Sequence, residues 1–273
     1  MESSVLSWTT ANADSVIITP GIGSVDPYGS TSISPAENTT YTITAEGPGG
    51  EPDVKTVTVS VNPLSISITS PLNGDIINAP QVTVKGTVTN AAGNETGVVV
   101  NGVLAMVYGN EFVANHVPLE EGENTITATA TDAAGHTLSA SIVVNADTTG
   151  DHIRITVDEE SGVTPFEATL TVEGTFSFTD SDLTYTGPNE VEFLENPNEN
   201  EYTVRIETPG LYYFTAEVDH EGTIYTDTIA LLVMDQGELD ALLRAKWEAM
   251  KAALANQDIS NALNYFAEDK KEL

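Results

Sequence analysis

NTITATATDAAGHTLSASIVVN, residues 124–145, decides how the rest of the chain is read, because polar and apolar residues alternate on both sides of a Gly-bearing turn. A looser copy precedes it as YTITAEGPGGEPDVKTVTVSVN (41–62), and another follows as YYFTAEVDHEGTIYTDTIALLV (212–233). Aligned on Gly50, Gly135 and Gly222, the copies lie 85 and 87 residues apart, close to the ~100 residues of a small β-sandwich. The chain therefore reads as a string of sandwiches, each closed by its last hairpin.

Length and composition agree with that reading. At 273 residues with 40 % apolar content, there is material for two or three modest cores and something extra. No run of 18 apolar residues is present, so no membrane insertion by a helix is expected. The opening MESSVLSWTT has neither a basic n-region nor an apolar h-region and does not read as a secretory signal. Charge is uneven: residues 1–235 carry 34 acidic and four basic residues, a formal −30, while 236–273 carry seven and five. So negative a β region repels nucleic acid and anionic lipid, which makes both poor partner candidates. With no cysteine there are no disulfides and no thiol chemistry.

In the first unit, VLSWTT (5–10) and SVIIT (15–19) are strand-like, with Trp8 expected in the core rather than as a ligand platform. Its closing hairpin places Ile43 and Ala45 inward, turns at Gly47–Gly50, and continues with Val57, Val59 and Val61 at period two. LSWTTANADSVIITPGIGSVDPYGSTSISPAENTTYTITAEGPGG resembles the immunoglobulin-like (Ig-like) modules found in tandem on large secreted or surface proteins of bacteria. In that family an extra strand precedes the LSWTT segment. The resemblance implies that the sequence starts inside or just after it, leaving an unpaired edge.

The second unit begins at Pro63-Leu64, and SISITSPLNGDIINAPQVTVKGTV gives two strands around a Pro-Leu-Asn-Gly turn, with Val82, Val84 and Val88 inward. Asn101-Gly102 between two apolar runs is a hairpin signal, since both turn residues need positive φ. SPLNGDIIN, VNGV and EGENTITATATDAAG make 64–145 similar to the Ig-like accessory module of glucodextranase-type enzymes. After a short linker, ADTTGDH (146–152), the third unit opens with IRITV and alternates Phe166, Ala168, Leu170 and Val172. PGLYYFTAEVDHEGTIYTDTIALLV (209–233) resembles the last two strands of a polycystic-kidney-disease-type (PKD) domain, although the middle of the unit lacks that family's Trp-Asp-Phe-Gly-Asp-Gly segment.

From Gln236 the period becomes helical, with Leu239, Leu242, Leu243, Met250 and Leu254 beside Trp247. Asp258 can cap a second helix whose stripe is Ile259, Ala262, Leu263 and Phe266. Such a hairpin buries little alone, so it is expected to pack on the third unit or to belong to a longer C-terminal domain. The fold expected is all-β: three tandem Ig-like β-sandwiches, the first truncated at its N-terminus, over 1–62, 63–146 and 147–235, then a helical hairpin over 236–273.

Chemistry is sparse. There is no GxSxG, HExxH, Walker or GxGxxG motif. His116, His136, His152 and His220 fall in turns or strand ends, and paired carboxylates are what 41 acids give by chance. The sequence thus predicts no enzyme and no cofactor, with calcium as the one exception. That ion takes several carboxylate and carbonyl oxygens, and Asp147, Asp151 and Asp158 near the linker, or Asp180 with Asp182, could supply them, although none follows the D-x-[DN]-x-[DN]-G loop. The Lys–Asn isopeptide cross-links of some bacterial Ig-like modules are not expected, since Lys85 falls out of phase with the inward valines and should face water, and Lys55 starts a strand. Tyr202, Tyr212, Tyr213 and Tyr225 form the dense aromatic group, either core or a sugar-binding face. The functional expectation is a monomeric, extracellular or cell-surface spacer, presentation or adhesion segment whose partner is a surface protein or polysaccharide. The alternative is an accessory, substrate-targeting module of a larger secreted enzyme or Rhs/toxin-type protein.

Overall fold

The computed structural model describes residues 3–263 and 265, apart from 36, 37, 62, 92, 94 and 197. The chain divides into two compact units, residues 1–64 with 89–95 and 132–137, and residues 65–88, 96–131 and 138–273. Among the described residues the strands form six sheets, stacked in pairs as three tandem Ig-like sandwiches.

In the first sandwich, β1 (Ser4–Thr9) pairs antiparallel with β4 (Tyr28–Ile33). The facing sheet runs β3 (Gly23–Val25), β2 (Ser15–Thr19), β5 (Thr39–Glu46), β6 (Asp53–Val59). Ile18, Ile33 and Tyr41 form a small buried core, with Leu6, Trp8 and Ile43 half-buried against it. Trp8 is held in place by its indole N–H, which donates to Asp26 O at 2.9 Å.

The second sandwich comprises β7 (Leu64–Ser70), β8 (Ile76–Ile77), β9 (Gln81–Asn90), β10 (Thr96–Val100), β11 (Val103–Leu104), β12 (Met106–Tyr108), β13 (Glu111–Pro118), β14 (Gly122–Asp132) and β15 (Thr137–Ala146). They order as β12-β13-β9-β7 facing β11-β10-β14-β15-β8. The Asn101-Gly102 turn has φ of 45° and 89°, as a tight hairpin between Val100 and Val103 requires. Val84, Val98, Val100, Phe112, Ile126, Ala128 and Ala130 are fully buried, so the period-two pattern of the second unit marks its core.

The third sandwich comprises β16 (Ile153–Val157), β17 (Ser161–Val163), β18 (Phe166–Gly174), β19 (Asp182–Thr186), β20 (Glu192–Leu194), β21 (Glu201–Ile206), β22 (Gly210–His220) and β23 (Thr223–Met234). Its sheets are β16-β18-β21-β20 and β17-β23-β22-β19. Phe166, Ala168, Leu170 and Val172 all face its core, opposite Tyr212, Phe214, Ile229 and Leu231.

One strand does the same work in the second and third sandwiches. It pairs with one sheet, then crosses to lie parallel to the closing strand of the other. Thus β7 adjoins β9, and β8 continues beside β15 at Asn145 and Ala146. Likewise β16 pairs with β18, and β17 runs beside β23 at Leu232–Met234. Among the described residues of the first sandwich no strand takes that part, and β1 and β6 remain edges.

Asp235 caps α1 (Gln236–Ala255), its side chain accepting from the Glu238 N–H at 2.8 Å. α2 (Ile259–Leu263) packs against α1, burying Ala253 and Ala262. Of the stripe, Leu239 and Met250 are half-buried, whereas Leu242, Leu243, Trp247 and Leu254 are exposed and do not pack on the third sandwich. The reason lies in the sandwich, whose outer apolar residues Leu211, Ala230 and Leu232 are already covered by Val113 and Met106 of the second. Phe266 lies outside the described residues.

Candidate functional site

The most specific side-chain chemistry in the molecule sits where the second and third sandwiches meet, inside one compact unit. It begins with an interruption in β13. Pairing with β9 shifts between Ala114 and Val117, a bulge that frees Asn115 and His116 from the ladder, with His116 at φ 52°. Asn115 is buried, and its Nδ2 donates to Ala230 O at 2.9 Å while Ala230 N–H donates to Asn115 Oδ1 at 2.9 Å. One side-chain amide thereby replaces a rung of backbone pairing on β23. Thr83 Oγ1 adds a bond to Thr228 O at 2.6 Å. Around these polar contacts Val113, Leu211, Ala230 and Leu232 make an apolar cluster.

Lys85 belongs to the same joint, which corrects its expected place in water. Its Nζ lies 3.8 Å from the centroid of the Tyr213 ring, a cation–π contact. Burial lowers the Lys85 pKa, partly opposed by the charge of Glu111. Burial and the same glutamate raise the Tyr213 pKa. Lys85 points outward from β9 and is still covered, because the outward face of β9 is not solvent there.

Beside the joint opens a polar crevice of about 420 Å³ whose walls include Gln81, Thr83, Lys85, His152 and Asp227. Asp227 Oδ2 accepts from the Ile155 N–H at 2.7 Å and stands 3.9 Å from His116 Nε2. That nitrogen is buried without a hydrogen-bond partner among the described residues. Asp227 is thus committed to a strand backbone and does not orient the imidazole as a catalytic dyad would.

None of the five acidic candidates belongs to this joint, and Asp147, Asp151 and Asp158 are engaged by hydrogen bonds. Asp147 Oδ1 accepts from Thr149 N, Thr149 Oγ1 and Gly150 N at 3.1–3.2 Å, closing the linker turn. Asp158 Oδ1 accepts from Glu159 N and Thr169 N at 2.9 Å, and Asp151 Oδ1 accepts from Thr175 Oγ1 at 3.0 Å. Asp180 and Asp182 share one open depression with Glu217, Asp219 and His220. Among the described residues no three carboxylates or imidazoles converge on one metal position.

The tyrosines of the third sandwich are not an exposed row. Tyr212 is buried with its hydroxyl donating to Thr208 O at 2.9 Å, Tyr202 bonds Ser181, Tyr225 packs on Phe176, and Tyr213 faces Lys85. His220 stacks on Phe176 at 4.1 Å, and His136 Nδ1 is 2.9 Å from Asp132 Oδ2. Burial alone would raise the Asp132 pKa, but hydrogen bonds from the His136 ring and from the N–H groups of His136 and Ala134 hold it at about 2. The joint itself was missed in the sequence. The signal for it was the polar pair Asn115-His116 inside FVANHVP, an otherwise apolar strand.

A family model described as glucodextranase, domain B, matches residues 64–148. The second sandwich is therefore similar to that Ig-like accessory domain. No curated protein matches the chain. Similar solved structures include the fibronectin(III)-like modules of Clostridium thermocellum CbhA, at 14 % identity over 63 % of this chain and 95 % of that one, TM-score 0.25. The titin I-band fragment I67–I69 is 12 % identical over 85 % and 93 %, TM-score 0.27. Tandem Ig repeats of Dlar are 11 % identical over 64 % and 100 %, TM-score 0.28. Likenesses this distant carry nothing about role. No helix among the described residues is long and apolar enough to cross a membrane.

Proposed function

We propose that this chain is a non-catalytic, extracellular or cell-surface segment whose Ig-like sandwiches space and present what they are attached to. The observation that carries this reading is the Asn115–Ala230 amide pair, which fixes the second sandwich to the third. A binding enzyme cleft needs mobility or converging ionisable groups; a spacer needs a joint that does not bend. The joint has an apolar cluster, a two-way amide contact and a cation–π contact, all facing inward. The formal −30 of residues 1–235 keeps such a segment soluble and clear of like copies.

The test uses the whole chain, which has no cysteine of its own. Spin labels on cysteines replacing the exposed Ser139 and Glu192 should give one narrow distance distribution. Asn115→Ala should broaden it. A broad distribution in the parent protein would end the rigid-spacer reading. The match to glucodextranase domain B supports a second reading, in which the segment is an accessory module of a larger secreted enzyme. Retention on an insoluble polysaccharide in a pull-down would favour it over simple spacing.

A further inference from the structure

The crevice beside the joint holds groups that the joint leaves unused. Its walls come from β8, β9, the start of β16 and β23, and enclose about 420 Å³. Lys85 is one such group. Lys55 pairs with Asp53, and Arg205 with Glu167 and Glu207, whereas among the described residues Lys85 forms no salt bridge and its ammonium rests on the Tyr213 ring. A half-buried cation of this kind has given up water without gaining an anion. The facing groups are acceptors. Asp227 engages the Ile155 N–H through Oδ2, which leaves Oδ1 without a partner among the described residues. His152 Nδ1 lies 3.0 Å from Gly150 O. Since a carbonyl can only accept, that nitrogen carries the hydrogen, and Nε2 of the neutral ring is left as an acceptor. Two exposed aliphatic side chains, Ile76 and Ile224, line the same crevice.

Lys85 and Asp227 thus share a crevice without pairing to each other, which calls for a ligand with one anionic end and one hydroxyl-bearing end. We propose that the crevice binds a uronic acid, a sugar that carries a single carboxylate. The carboxylate sits on Lys85, ring hydroxyls donate to Asp227 Oδ1 and His152 Nε2, and the C–H faces of the ring lie against Ile76 and Ile224. A peptide carboxylate fits less well. It would satisfy Lys85, but a peptide offers one N–H per residue to the acceptors, whereas a sugar presents several O–H donors on one ring. A polyanion is rejected, because Asp227 lines the crevice, the charge of Glu111 acts on Lys85, and residues 1–235 carry a formal −30. The inference does not rest on the spacer reading, which depends on the Asn115 joint: failure of uronate binding would leave the spin-label distances unchanged.

The experiment uses the full chain, with D-glucuronate as the probe and binding read by calorimetry and by backbone amide shifts. Saturable binding is expected, with the shifts centred on Gln81, Lys85, His152 and Thr226, which line the crevice. D-Glucose lacks the carboxylate and should bind at least about tenfold more weakly, as should glucuronate to Lys85→Met, since each loses one charge-assisted hydrogen bond. Methionine keeps an apolar stem over Tyr213. Should that variant still disturb the joint, seen as faster exchange of the Ala230 amide, Ile224→Glu at an exposed position places a like charge on the wall and should weaken binding to a similar degree. Methyl β-D-glucuronide separates the two sources of the ligand: binding equal to that of the free acid assigns the crevice to a glycan-linked uronate, and weaker binding to the free sugar. No saturable binding up to about 10 mM glucuronate, equal binding of glucose, or unchanged affinity in both variants overturns the proposal. So does N-acetylglycine that binds as tightly as glucuronate, which would make this a site for any carboxylate.

Discussion

The closing strands β6 and β23 hold the same place in their hairpins and have opposite fates. VKTVTV in β6 is exposed along almost its whole length, whereas IALLV in β23 is buried. β6 alternates apolar and polar residues whereas IALLV is apolar throughout, and both strands pair with a preceding strand across a short turn. What also differs is the other flank: β17 lies along β23, and the second sandwich covers its outer face, while β6 is an edge. A strand's own sequence sets which residues can face a core. Its neighbours decide whether that face becomes one.

The sharpest way to break this comparison is to truncate the matched pair. Ile229→Ala should cost about 2–5 kcal/mol, because it empties a closed core. Val57→Ala should change stability by no more than about 0.5 kcal/mol, as at a surface site. Urea denaturation followed by tryptophan-independent circular dichroism checks both, and equal costs would mean that Val57 is covered in solution.

Next in size is the joint that covers β23. Asn115→Ala leaves the N–H and C=O of Ala230 without their partner, at about 1–3 kcal/mol for each buried group. Faster hydrogen exchange of the Ala230 amide, with that of Ile18 unchanged, is the expected signature.

The hairpin tips offer a smaller contrast. The tip between β14 and β15 is tied by Asp132, that between β22 and β23 by Asp219, whose Oδ1 accepts from Gly222 N, and that between β5 and β6 by a backbone bond from Gly49 N to Gly47 O. Asp132 titrates at about 2 in place of 3.8. Its stabilising effect is therefore complete above about pH 4 and is lost as pH falls through about 2. Melting temperatures recorded between those limits should fall for the parent protein and fall less steeply for Asp132→Asn. The smallest expected effect is that of calcium. With Asp147 and Asp158 engaged by backbone N–H groups, millimolar calcium should leave the melting temperature within replicate scatter.

Much of the architecture was legible because period-two burial is a local property. Phe166, Ala168, Leu170 and Val172 face one core as their spacing predicts, and Asn101-Gly102 turns where its backbone preferences dictate. What was not legible depended on neighbours far along the chain. Val57 alternates correctly and is still exposed, because among the described residues no strand flanks the outer side of β6. Lys85 breaks the pattern and is still covered, because Tyr213 arrives from 128 residues away. Asn115 interrupts an apolar strand, and nothing local says that its partner is a backbone amide in another sandwich.

The joint at Asn115 also makes the molecule sensitive to age. Deamidation would replace the Nδ2 donor with a carboxylate oxygen, aimed at the carbonyl oxygen of Ala230 that it now serves. Attraction would become repulsion at a contact that mimics a sheet rung. While both bonds hold, the amide is kept from swinging onto its own backbone to form a succinimide, so the joint protects the residue on which it depends.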